Sequence, residues 1–156
     1  MQQSNRVKSI LGLGPTTPSS STPKRINLKN VVRLKVVISG LNATTVTGSA
    51  ITLKQAVDSS GTSEKALSFT TYYANSDAGT SDTLTETTAS SDTFTTTSTN
   101  SKSYVYVIDV NPASLDTNNS FNFFRVGTGN ATATTLNVVY EVELKDKPGL
   151  STTIYS

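Results

Sequence analysis

The chain contains no cysteine, no histidine and no tryptophan. The first two absences exclude disulfide staples, thiol nucleophiles, imidazole acid–base chemistry and Cys/His zinc sites. Long apolar runs are missing too: nothing approaches the roughly 20 residues that a membrane-spanning helix needs. The "ILGLG" at residues 10–14 is too short for a signal-peptide core and runs straight into Pro15. Acidic side chains are absent from the first 35 residues.

What fills these gaps is hydroxyl. The 156 residues include 27 Thr and 22 Ser, and only 35% are hydrophobic. Threonine is β-branched and suits a pleated, half-exposed surface, so the bias favours strands. The length allows one domain with a core of its own. Charge divides unevenly along it. Residues 1–35 carry Arg6, Lys8, Lys24, Arg25, Lys29, Arg33 and Lys35 against no acid, while the remainder holds all eleven acids and is net negative. Such a split predicts a basic segment that seeks an acidic partner surface while the body stays soluble.

Pro15, Pro18 and Pro23 lie among Ser and Thr near the start, beside Gly12 and Gly14. Proline fixes φ and donates no N–H, so this stretch is expected to be extended and irregular. The resulting division is an extended basic N-terminal arm (1–30), a β-sandwich domain (31–147) and a C-terminal tail (148–156). In the arm, Ile10, Leu11 and Leu13 are candidate anchors for apolar pockets on a partner. Arg6, Lys8, Lys24 and Arg25 are candidates to meet acidic groups around them. Interleaved aromatics are lacking, which disfavours nucleic acid as that partner.

From residue 31 the apolar period is two. "VVRLKVVIS" sets Val32, Leu34, Val36 and Ile38 against Arg33 and Lys35, and "AITLKQA" turns Ile51 and Leu53 inward. "KALSFTTYY" offers Leu67, Phe69 and Tyr73 to one side, and a weaker Thr-rich pair surrounds Leu84 and Phe94. "SYVYVIDV" is apolar on both faces, "FNFFRV" is a short aromatic strand, and "TLNVVYEVEL" alternates from Leu136 to Leu144. Turn signals separate these runs. In "NPASLD", Asn111 can cap, Pro112 suits a first helical position and Leu115 can point inward. Seven or eight short strands at this spacing predict an all-β antiparallel sandwich, either jelly-roll or immunoglobulin-like.

Chemistry-bearing motifs are weak throughout. Three N-x-[ST] sequons begin at Asn42, Asn118 and Asn130, as expected in so Asn- and Thr-rich a chain. "DSSGTSEK" and "NSDAGTSD" place acids near Gly but lack the calcium-loop spacing, and read as hairpin turns. Glu141 and Glu143 alternate outward as a solvated strand face. "GLG" follows no strand and is no phosphate loop. The expectation is a protein with no catalytic residues, no metal and no cofactor.

Three segments carry a resemblance: "ITLKQAVDSSGTSEKALSF", "DTFTTTSTNSKSYVYVIDVNPASLD" and "FNFFRVGTGNAT". A strand ending in K/Q-A, then D-x-S-G-T-x-x-K-A-L-x-F, a Tyr/Val/Ile strand, a Leu-Asp turn and an aromatic-R-V strand follow in that order. They fall at Lys54–Ala56, Asp58–Phe69, Tyr104–Asp116 and Phe121–Val126. This order resembles a group of small tailed-phage virion proteins over roughly residues 50–140. The resemblance implies a capsid-associated structural protein with a β-sandwich fold and no catalytic residues. The basic arm departs from the group's pattern.

The expected function is therefore that of a bacteriophage head decoration or cement protein, bound through its N-terminal arm to the major capsid protein or other virion subunits. The alternative is a head–tail connector, tail or fibre-base component. Self-association is compatible with either, no membrane is involved, and the location is the virion, assembled in the bacterial cytoplasm.

Overall fold

Alternating apolar residues make strands, and the strands build two sheets. The computed structural model describes residues 6–145. In chain order it has β1 (Val7–Thr16), β2 (Ile26–Asn27), β3 (Val31–Asn42) and β4 (Ala50–Ala56). Four shorter strands follow: β5 (Lys65–Ala66), β6 (Thr71–Asn75), β7 (Thr85–Thr88) and β8 (Phe94–Thr95). The last are β9 (Ser103–Val110), β10 (Phe123–Thr128) and β11 (Thr134–Leu144). One sheet runs β1-β11-β3-β9-β6-β7 and the other β2-β10-β4-β5, with β8 added to β4. Every pairing is antiparallel. The sheets pack as a sandwich. No helix among the described residues is long and apolar enough to cross a membrane.

The core lies between the sheets. Leu34, Val36 and Ile38 of β3, Ile108 of β9 and Leu136, Val138 and Tyr140 of β11 face it from one side. Ile51 and Leu53 of β4 with Phe124 and Val126 of β10 close it from the other. Each is at least nine-tenths buried, and such a side chain contributes about 1.5–3 kcal/mol. At one end Phe94 stacks on Tyr72 at 3.9 Å and leans against Phe69 and Tyr106. At the other, Pro112–Ser114 makes the expected single turn: the Asn111 side chain accepts from the Ala113 N–H, and Leu115 is buried.

Some expectations need correcting. Val31, not Val32, fills the core at the start of β3; Val32 is 42% exposed. The register with β11 shifts between Glu143 and Leu144, and this irregularity inverts the alternation there. Leu84 is exposed, and the strands near it and near Phe94 do not pair with each other: β7 pairs with β6, and β8 with β4. Tyr73 does not share a face with Leu67 and Phe69; it turns outward and donates to Glu86 at 3.3 Å. Tyr72 packs inward against the core.

Residues 6–30 differ most. Apart from a single turn at Pro18–Ser20 they are extended, but extended along the body. β1 pairs with β11 from Val7↔Glu143 to Thr16↔Leu136, and β2 pairs with β10 in the opposite sheet. The chain thus crosses from one sheet to the other before β3 begins, and the sandwich starts near residue 7, not 31. Its glycines and prolines masked the alternation. Residues 1–5 and the tail expected at 148–156 lie outside the described residues.

Candidate partner interface

The seven arm residues are divided between two settings. Ile10 lies opposite Tyr140 and packs against the core, and Leu13 is buried within it. Between them Gly12 meets the Tyr140 ring, where an added Cβ would come within 2.6 Å of a ring carbon. The backbone continues the attachment. Lys24 N–H donates to the Gly12 carbonyl, and Leu144 N–H donates to the Arg6 carbonyl. The Tyr140 hydroxyl accepts from Val126 N–H and donates to the Lys24 carbonyl, each at 3.0 Å. Burial pushes this phenol well above its ordinary range, so it stays protonated and able to donate.

Arg25 is also committed internally. Glu64, in the loop after β4, accepts from Arg25 Nη2 at 2.5 Å through Oε2 and from Arg125 Nη2 at 2.5 Å through Oε1. The two guanidiniums are mostly covered. Burial raises the Glu64 pKa, but the hydrogen bonds and charges of Arg125 and Arg25 outweigh it and hold the carboxyl below its ordinary value. Gly61, at φ +88°, lets the same loop pass against the Arg25 guanidinium where a side chain would collide.

Arg6, Leu11 and Lys24 have exposed side chains, and Lys8 is half-covered opposite Val142. Lys8 and Leu11, on β1, do not form one surface with Arg25, which pairs with Glu64 over the second sheet. Leu11 belongs to a different feature. Following the register outward from β1, Leu11 lies opposite Val139, Val139 opposite Val37, Val37 opposite Val107 and Val107 opposite Tyr73. These five side chains form an apolar row over five strands on the outer side of the six-stranded sheet: Leu11 is exposed, Val139, Val37 and Tyr73 are half-covered, and Val107 is buried.

Beyond the row, Asn137 and Ser39 are hydrogen-bonded at 2.8 Å beside Val105. Further along, Leu41 is 57% exposed over a shallow recess of about 450 Å³ that Pro15, Ala78, Val105 and Thr135 help to line. The other half of the face is charged. Glu141, Lys35 and Asp109 stand opposite one another across three strands, with Glu143 and Arg33 in the next row.

Sequence reasoning missed the row because its members come from five separate strands. "SYVYVIDV", apolar on both faces, and the Val-Val pairs at 36–37 and 138–139 were its visible traces. Among the described residues no group of three acidic side chains is placed to hold a metal ion. Comparisons with protein-family models, with curated proteins and with solved structures find no match.

Proposed function

We propose that this chain is a structural protein of a bacteriophage particle, most simply a decoration or cement protein on the head shell. It docks through the outer face of the six-stranded sheet and the N-terminal strand that borders it. The apolar row from Leu11 to Tyr73, at least partly exposed at every position except the buried Val107, is the observation that carries the reading. The charged half of the face supplies a polar rim on one side.

The strand order adds support. With β6–β8 set aside as an insertion, the sheets run first-eighth-third-sixth and second-seventh-fourth-fifth, the double Greek key of a jelly roll. Viral capsid and lectin domains share that architecture. Fold alone names no activity, so the face bears the argument. Its partner is the major capsid protein or another virion subunit. Many copies of one site on a shell make modest affinity per contact durable.

Mass spectrometry of gradient-purified particles tests this reading by counting the chain against the major shell protein. Hundreds of copies are expected for a cement protein. About one ring's worth would move it to a connector or tail, and absence from particles would overturn the virion reading.

A further inference from the structure

The opposite side of the sandwich carries a different surface. On the outer face of the second sheet, Lys54 of β4 lies directly opposite Arg125 of β10. Like charges placed opposite one another across strands repel. Arg25 joins them through the carboxylate it shares with Arg125. Glu64 offsets one of these three cations, and no other carboxylate among the described residues lies within ion-pair distance of Lys54. The next cation along, Lys65, is taken up by Asp116 at 2.5 Å and lies over the Phe121 ring.

Beside this net-positive cluster runs an open trough of about 300 Å³. Gly127 and Gly129 line it, with Thr22 and Thr52 alongside and Lys54 and Arg125 at its charged end. Thr52 Oγ1 leans over Gly127 and Ala50 packs against Gly129, so the trough is floored by backbone, small side chains and a threonine hydroxyl.

We propose that this trough binds an acidic, extended peptide segment of a partner protein, carboxylates toward Lys54 and Arg125. No aromatic side chain lines the trough, so it lacks the stacking platform that single-stranded nucleic acid uses. The proposal stands on these residues whether or not the particle reading holds, because its test uses the isolated protein.

The test is an amide NMR titration with hexaglutamate, with hexaglutamine and a single-stranded oligonucleotide as comparisons. Hexaglutamate is expected to shift Gly127 and Gly129, with the effect weakened by salt and absent for hexaglutamine. Lys54→Glu, which removes none of the four Glu64–arginine hydrogen bonds, is expected to weaken binding at least tenfold with an otherwise unchanged spectrum. Absence of shifts at these glycines, or shifts indifferent to Lys54→Glu, would overturn the proposal. Tighter binding of the oligonucleotide at the same residues would overturn it as well.

Discussion

Removing the Tyr140 hydroxyl leaves the Val126 N–H and the Lys24 carbonyl without the group that bridges them. A buried polar group left unpaired costs roughly 1–3 kcal/mol. Tyr140→Phe is therefore expected to lower the denaturant midpoint by about that free energy with an unchanged slope. An unchanged midpoint would mean that water replaces the bridge. Glu64 makes a pH-dependent contribution. Its folded pKa lies below its unfolded value, so its stabilisation is complete above the unfolded pKa and is lost as pH falls through the folded one. Wild-type stability should drop over that acidic window. Glu64→Gln should lose roughly 3 kcal/mol at neutral pH, since two mostly covered guanidiniums lose their counter-charge, and should show a shallower acid transition.

At the scale of the element, β1 decides whether the N-terminal segment is tail or sheet. The two leucines flanking Gly12 separate these cases: Leu13 is 6% exposed and Leu11 54%. Leu13→Ala is expected to destabilise by on the order of 2–5 kcal/mol, and Leu11→Ala by no more than about 0.5 kcal/mol. Equal, negligible losses in chemical denaturation would contradict the docked strand.

The same element marks the limit of what was legible in the chain. β3, β4, β9, β10 and β11 were readable because core residues recur at every second position along them, from two apolar ones in β10 to five in β11. The Asn111–Pro112 turn was readable because capping chemistry is local. β1 was hidden: its register with β11 shifts around Leu11 and Leu13, and its prolines and glycines read as breakers. Glu64 looked like a turn residue because its partners lie 39 and 61 positions away. Spacing along a sequence does not report pairs formed only by sheet packing.

For the whole molecule, the two outer faces differ in kind. The six-stranded sheet presents an apolar band with a charged margin, and the other sheet presents cations beside a glycine-lined trough. The basic segment noticed in the sequence feeds both, through Leu11 on one side and Arg25 on the other. It does not act as a separate tether over the residues described. Docking is thus proposed to occur through a preformed face, which avoids the ordering entropy that a free arm would lose on binding.

The most direct test of that claim is re-binding of purified chain to particles depleted of it, comparing wild type with Leu11→Glu/Leu41→Glu. Both positions are more than half exposed, so the double variant should unfold within a few degrees of wild type. The account predicts that particle occupancy falls at least tenfold at equal protein concentration. Full occupancy by the folded double variant would contradict it.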